Sequence, residues 1–314
     1  MQNVLRYLIC CIFLGAGLAS AQNYPSRPVR IVTGGAGGGS DFLSRLLAQG
    51  LTESLGQSVI VVNHPTGVIP GATVMRAAPD GYTLLVSGQV LWVGPLMREA
   101  PYDPMKDFAP VSNLVFSSAV LATTLSLPVN NVKELIALAK AKPGYLNYGS
   151  NGTGTLAHLS AELFKYMVGV DIQGIQFSST SQRMPSLLKG DVHVAFDDGL
   201  MPMIKAGKLR GLAVTSARTT VLAPGLPPIA EAGVPGYESS LRTGLFAPAK
   251  TPETIINRVN QEVVRFLGIP ATREKLLDFG TEAVGSTPEE MISIMRADRE
   301  RFGKMITATG ITSQ

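Results

Sequence analysis

Short apolar segments alternate with longer amphipathic segments along nearly the whole chain of 314 residues. Three of the apolar segments, Val29–Thr33, Val59–Asn63 and Tyr82–Ser87, are typical of short buried strands. The segments between them, Asp41–Leu55 and Ala72–Ala78, have the spacing of helices. A second series follows, with helices at Asn131–Ala141, Thr155–Met167, Gln182–Lys189 and Leu200–Ala206 and strands at Leu146–Tyr148, Ile172–Phe177, Val192–Phe196 and Gly211–Thr215. Two βαβ series in one chain predict an α/β protein with two lobes.

Two extended apolar segments, Leu114–Thr124 and Ser239–Phe246, are predicted to cross between the lobes. Two crossings make the second lobe an insertion in the first, which is a layout suited to hinged closure. The expected bounds are 22–121 for the first part of lobe 1, 122–243 for lobe 2 and 244–314 for the mostly helical return to lobe 1.

The N-terminus has the pattern of a secretory signal peptide over residues 1–21. Arg6 supplies a positive charge, Leu8–Leu14 is apolar, and Ala19-Ser20-Ala21 is a small-x-small cleavage site. A membrane anchor is disfavoured, because about 12 apolar residues cannot span a hydrocarbon core of about 30 Å. Both cysteines lie in this leader, so the mature chain, starting at Gln22, is expected to have no disulfide and no cysteine-bound metal.

The overall charge argues against nucleic acid as a partner. The net charge is only +4, and the lysines and arginines are scattered rather than clustered. With 45% hydrophobic residues, the chain can build a core without disulfides.

A glycine-rich loop, with five glycines in the six positions 34–39, lies between the first strand and the first helix. Without Cβ atoms the loop can turn its N–H groups toward one point, and the helix that follows adds unpaired N–H groups and the positive end of its dipole. The residues predicted to form this anion site are Gly34, Gly35, Gly38, Gly39 and Ser40, with Ser87 and Gln89 behind them. Asp41 either caps the helix and orders the loop or contacts the ligand through water.

A second loop, Gly152–Ala157, follows a strand, opens a helix and matches a G-x-G-x-x-A dinucleotide fingerprint. That fingerprint requires an acid at the end of the next strand, whereas Asp171 lies at its start, so no cofactor is expected. A second anion loop at a helix N-terminus accounts better for these residues. Two such loops, one in each lobe, fit a ligand held in the cleft between them. The contacts predicted here are Ser150, Thr153, Gly154, Thr155, Phe177 and Asp197.

Catalytic chemistry has weak support in this sequence. There is no G-x-S-x-G elbow, and His64, His158 and His193 lack the spacing of metal ligands. Asp197 and Asp198 point to opposite faces of a strand end, so one can bind a ligand donor while the other caps the next helix. His158 is expected to pack or cap. An exported hydrolase that uses His158 or the two aspartates stays an alternative.

Several motifs occur in an order that is shared with a known family and cover essentially the whole mature chain. They are Tyr24–Pro28, Gly37–Asp41, Ala78–Leu85, Pro101–Pro104, Lys106–Val111, Ala139–Gly144, Ala206–Arg210, Glu231–Tyr237 and Val284–Glu290. In these motifs the chain resembles the extracytoplasmic solute receptors of the tripartite tricarboxylate transporter family, the TctC or Bug proteins. The resemblance implies a two-lobed periplasmic binding protein, type 2-like, that closes on a small carboxylate and delivers it to membrane permease subunits.

The resemblance also implies that the two loops grip the carboxylate. From the sequence itself we expect no metal site and a monomer. A sensory protein that reports to a membrane kinase would share these features and stays an alternative.

The chain departs from the family pattern at three places in the predicted site. It has Thr33–Ala36 where members usually have Pro-Phe-x-Pro, Ser87–Val90 where Ser-Asn-Gly-Thr is common, and Phe177-Ser178 where Tyr is followed by Lys or Arg. An aromatic ring is lost at Gly34, and polar side chains are replaced by smaller or apolar ones. We therefore expect a roomier, less polar cleft that suits an aromatic or otherwise bulky carboxylate.

Overall fold

The computed structural model describes residues 24–65, 67–177 and 180–312, which form two β-sheets with helices packed on them. The strands are β1 Val29–Thr33, β2 Val59–Asn63, β3 Thr83–Gly88, β4 Phe108–Ser118, β5 Val120–Thr124, β6 Asn147–Ser150, β7 Gln173–Gln176, β8 Val194–Asp197, β9 Leu209–Val214, β10 Ser240–Pro248 and β11 Glu282–Ala283. The helices are α1 Gly39–Leu55, α2 Ile69–Met75, α3 Val132–Ala141, α4 Leu156–Val168, α5 Thr180–Lys189, α6 Met201–Lys205, α7 Glu253–Leu267, α8 Pro270–Asp278 and α9 Pro288–Thr309. The predicted leader and Gln22 lie outside the described residues.

The first sheet has six strands in the order β11-β4-β10-β3-β1-β2. Strand β1 is parallel to β2 and β3, whereas β10 is antiparallel to β3 and β4. Side chains of α1 and α7, including Leu47, Leu51 and Val263, pack with Ile31 of β1 in a buried core. Because β1 and β3 are parallel, the loops that follow them lie at the same end of the sheet. The predicted bounds of β1 and β2 are confirmed, and α1 begins two residues before the predicted Asp41.

The second sheet has five strands in the order β7-β6-β8-β5-β9. Strand β6 is parallel to β7 and β8, and β5 is antiparallel to β8 and β9. The glycine loop after β6 and the two aspartates at the end of β8 therefore lie at the same end of this sheet.

The chain changes sheets at two places. Strand β4 pairs in the first sheet up to Ser118, and β5 begins in the second sheet only two positions later, at Val120. The second change lies between Val214, which ends β9, and Ser240, which begins β10. The predicted extended segment 114–124 is thus the end of β4 together with β5. The division into lobes at residues 121/122 and 243/244 stays a prediction.

The C-terminal helix α9 packs against β4 of the first sheet and against α4, which itself packs on β8 of the second sheet. Its start is fixed by a capping box in which the Thr287 Oγ1 accepts from the Glu290 N–H at 3.2 Å and the Glu290 carboxylate accepts from the Thr287 N–H at 2.9 Å. The cap thus places the start of α9 at Pro288. No helix within the described ranges has the length and apolarity that crossing a bilayer requires.

Candidate functional site

A cleft lined by residues of both sheets consists of three neighbouring cavities. The wide cavity, of about 780 Å³, is lined by residues of α1, β4, β10 and α8. The small cavity, of about 160 Å³, lies by the loop after β6 and the end of β8. The apolar cavity, of about 440 Å³, lies between the segment 88–98 and the loop 153–156. Leu241 of β10 lines all three, so the crossing strand forms their common wall.

Asp41 orders the first glycine loop from inside the helix. Its Oδ2 accepts from the Gly37 N–H at 2.9 Å and from Arg45 Nε at 3.1 Å, and its Oδ1 accepts from Asn63 Nδ2 at 2.9 Å. Asn63 also donates to the Gly34 carbonyl at 2.8 Å. The Gly37 N–H, followed by Arg45 and Asn63, lowers the pKa of Asp41 to about 2. Both carboxylate oxygens of Asp41 therefore already accept from donors of the loop, of α1 and of β2.

The expectation that Asp41 caps α1 is wrong, because the N-cap is Gly38 and Asp41 lies in the first turn. No side chain caps this helix among the described residues. The N–H groups at the start of α1 therefore have no side-chain acceptor, and two residues of that turn, Gly39 and Ser40, line the wide cavity.

An aromatic shelf stands beside the start of α1. The rings of Phe42 and Phe279 stack at 4.2 Å with an interplanar angle of 14°, and a Cβ at Gly39 would lie 3.4 Å from the Phe279 ring. Phe279 is 46% exposed and lines the wide cavity. The cleft thus has an aromatic surface made of one ring from α1 and one ring from the C-terminal part of the chain.

The second loop is held by its own helix. Thr155 is the N-cap of α4; its hydroxyl donates to the Gly152 carbonyl at 2.9 Å and accepts from the His158 N–H at 3.4 Å. The His158 Nδ1 accepts from the Gly154 N–H at 3.4 Å. Burial lowers the pKa of His158, although Glu162 opposes the change, so the neutral ring that can accept this bond is favoured. The expected capping role of His158 is confirmed.

The two aspartates after β8 have different surroundings. The Asp197 carboxylate forms an ion pair with Arg183 of α5, and its Oδ1 accepts from the Gly199 N–H at 3.0 Å. Arg183 is 3% exposed, and its Nη1 also lies 3.5 Å from the Gly149 carbonyl. Asp198 is exposed and lines the wide and small cavities. The expectation that one of them caps the next helix is wrong, because Leu200 is the N-cap of α6 and no side chain caps it.

Gln89 joins the cleft to helix α9. Its Nε2 and the Trp92 Nε1 both donate to the Asp298 Oδ2 at 3.0 Å. Burial raises the pKa of Asp298, while these two donors, Arg242 and Arg301 oppose the rise. Gln89 lines the apolar cavity, but its side-chain amide already has a buried partner.

The charges are distributed unevenly along the cleft. Among the described residues that line the wide cavity, Asp198 and Asp278 are charged and no lysine or arginine occurs. The small cavity has Arg183 with Asp197 and Asp198. Of the described residues that line the apolar cavity, Arg98 is the one that carries a charge.

The structure brings half of the predicted site residues to these cavities. Those that line them are Gly39, Ser40, Gln89, Thr153, Gly154, Thr155 and Asp197. The predicted residues that line none of the three are Gly34, Gly35, Gly38, Asp41, Ser87, Ser150 and Phe177. Ser87 and Ser150, for example, lie within strands, where Ser87 pairs with Gly244 and Ser150 is 1% exposed. Contact of all these residues with a ligand stays a prediction.

Several residues that line the three cavities were not predicted from the sequence. They are Val90, Val93, Met97, Arg98, Arg183, Leu241 and Phe279. Leu241 had a usable signal, since it belongs to a segment predicted to cross between the lobes. Arg183 and Arg98 had none, because single arginines are ordinarily solvated surface residues. Within the described ranges, no group of His, Cys, Asp and Glu could hold a metal ion.

Known proteins resemble this chain over most of its length. The sequence profile of the tripartite tricarboxylate transporter family receptor, TctC, matches residues 43–311. Protein BugT of Bordetella pertussis is 34% identical over 98% of this chain and 99% of its own length. Among solved structures, R. palustris Rpa4515 with adipate is 36% identical and has a TM-score of 0.73, covering 92% of this chain and 99% of that protein. A TctC solute-binding protein from Polaromonas without ligand is 26% identical and has a TM-score of 0.84, covering 91% and 99%.

Proposed function

Because this chain belongs to the family of tripartite tricarboxylate transporter receptors, we propose that it captures a small carboxylate in the cleft and passes it to membrane permease subunits. Members of the family are periplasmic solute-binding receptors, so the chain is a receptor and not an enzyme. Its α/β fold with two sheets matches solved solute-binding proteins of the family. The hydrolase considered from the sequence is therefore wrong.

One observation carries the proposal that the ligand is an anion held by both loops. Ser40, at the uncapped start of α1, and Thr153–Thr155, before α4, line the same apolar cavity although they follow strands of different sheets. N–H groups at helix starts favour negative charge. Met97, which follows β3, also approaches the second loop, since a Cβ at Gly154 would lie 3.3 Å from its Cε. A carboxylate in this cavity can therefore accept from both loops at once.

The lining of the cavity supports a ligand with an apolar body. Besides its polar loop residues, it is formed by Val90, Val93, Met97, Leu156, Leu159 and Leu241. Its volume of about 440 Å³ is in the range of small-molecule sites. Rpa4515, which was solved with adipate, is a relative whose ligand has two carboxylates and an apolar chain. We propose an aromatic or otherwise bulky carboxylate for this protein, with Phe279 as a further apolar surface for a ligand that extends into the wide cavity.

Closure of the cleft is the expected mechanism of capture. A ligand that contacts both loops only in the closed form would shift the population toward that form by its extra affinity.

Calorimetric titration of the mature protein with a panel of carboxylates tests this function. The panel contains citrate, aspartate, adipate, benzoate and terephthalate, and small-angle scattering with each ligand measures closure. We expect an adipate-like or aromatic carboxylate to bind and to reduce the radius of gyration. Tight binding of citrate or aspartate without binding of any apolar acid would refute the proposed ligand class. Absence of binding by the whole panel would refute carboxylate capture.

Four further expectations are proposals of the same kind. Cleavage after Ala21, at the predicted signal site, is tested by N-terminal sequencing of the exported protein. Lobes at 22–121 with 244–314 and at 122–243, and a monomeric state, are tested by limited proteolysis and by light scattering of the mature chain. Delivery to a permease is tested by ligand uptake in cells with and without the receptor.

A further inference from the structure

Arg98 is the one charged residue among the described residues that line the apolar cavity. It follows the second of two 3₁₀ turns, Gln89–Leu91 and Gly94–Leu96, and its side chain is half-buried. The guanidinium lies over two glycines, since a Cβ would come within 3.6 Å of its Nη2 at Gly67 and within 4.0 Å at Gly94. The absence of side chains at these glycines leaves room for the guanidinium at the cavity wall.

The charge of Arg98 has no carboxylate partner within the described part of the chain. Its charge acts on Tyr102, where burial raises the pKa of the hydroxyl and the guanidinium opposes the rise. A neutral phenol provides no counter-ion. Other arginines near the cleft are paired: Arg183 with Asp197, and Arg242 with Glu238.

The loops and Arg98 offer two kinds of anion recognition in one cavity. Helix-start N–H groups recognise an anion through backbone donors, and a guanidinium recognises a carboxylate through two parallel hydrogen bonds. If the cleft closed on a ligand whose single carboxylate lay at the loops, Arg98 would lose water without gaining a partner. Burial of an unpaired charge is costly, so closure would then be disfavoured.

We propose that Arg98 binds a second carboxylate of the ligand, so that the cavity selects dicarboxylates with an apolar body over the corresponding monocarboxylates. This inference rests on the proposed carboxylate capture. The apolar residues Val90, Val93 and Met97 belong to the same short segment as Arg98 and line the cavity with it. The wide cavity is a poor place for the second carboxylate, because the charged residues that line it within the described part of the chain are both acidic, Asp198 and Asp278.

The test compares matched acids on matched variants. Adipate is paired with hexanoate and terephthalate with benzoate, and each is titrated into the wild type, Arg98→Gln, Arg98→Lys and Arg258→Gln. Arg258→Gln is the control, because it removes the same charge from α7, where Arg258 pairs with Glu262 outside the cleft cavities. Thermal unfolding of each variant verifies that it is folded.

We expect Arg98→Gln to weaken binding of the dicarboxylate by about 10- to 100-fold. Its affinity for the matching monocarboxylate should stay within about threefold of the wild-type value. Arg98→Lys should retain part of the preference, since it keeps the charge without the planar fork. Unchanged dicarboxylate binding in Arg98→Gln would overturn the assignment. Equal losses for both acids of a pair would also overturn it, because they would place the guanidinium at the loop-bound carboxylate. If no acid binds the wild type, carboxylate capture itself fails and the inference fails with it.

Discussion

Replacement of Asp298 by alanine should destabilise the protein strongly, because Asp298 joins helix α9 to the segment that follows β3. The carboxylate is 2% exposed, and its Oδ2 accepts from both the Gln89 amide and the Trp92 indole. Gln89 is 7% exposed and Trp92 is 0% exposed, so neither donor can find water readily after the change. The substitution therefore leaves two buried donors unsatisfied.

The size of the effect follows from those two donors. A buried donor without a partner costs about 1–3 kcal/mol, or about 2–6 kcal/mol for the pair. In the wild type, burial of the carboxylate is unfavourable, as the raised pKa of Asp298 shows. Because the alanine variant no longer buries this charge, part of the cost is returned. We expect a net loss of about 2–4 kcal/mol in the free energy of unfolding for Asp298→Ala. Asp298→Asn keeps one acceptor oxygen, so about 1 kcal/mol is expected.

Urea unfolding followed by fluorescence is a suitable assay, because Trp92 is the only tryptophan of the chain and donates to Asp298. Circular dichroism of the same samples reports the helices independently. Glu300→Ala provides a control on the same helix, since Glu300 and its ion-pair partner Lys304 are both exposed. The unfolding midpoint of this variant should stay unchanged. An unchanged urea midpoint for Asp298→Ala would refute the conclusion that the hydrogen bonds to Asp298 hold α9 to the segment after β3.

Three further predictions concern the loops and the core. The pKa of Asp41 is lowered to about 2, so its contribution to stability is present above about pH 4 and is lost as the pH falls toward 2. In urea unfolding between these pH values, the stability of Asp41→Asn should depend less on pH than that of the wild type. Equal slopes of stability against pH would contradict this. Thr155→Ala should lose about 1 kcal/mol of stability with the N-cap and weaken ligand binding, whereas Thr155→Ser should keep both, as measured by melting and calorimetry. On helix propensity alone, Gly50→Ala would stabilise α1. It should instead destabilise the protein by about 1–3 kcal/mol, because the new Cβ would lie 2.1 Å from the Phe266 ring. Adding Phe266→Leu should reverse the loss, whereas a Gly50→Ala variant more stable than the wild type would show that the ring moves freely.

The sequence by itself determined the succession of elements and the type of fold. Strands β1 and β2 have the predicted bounds, because apolar periodicity acts over a few neighbouring positions. The glycine loops were visible for the same reason, since a strand, a loop and a helix start are adjacent along the chain. Family motifs spread over the chain then indicated the kind of ligand.

Tertiary structure decided which side chains face the ligand. Asp41 turned out to be engaged with Asn63, and Gln89 with Asp298, which lies 209 positions away. Arg98, Leu241 and Phe279 reach the cleft from three separate parts of the chain. Such contacts depend on how two sheets, a crossing strand and a C-terminal helix pack together. No local pattern encodes that packing, because it is set by burial of apolar surface across the whole chain.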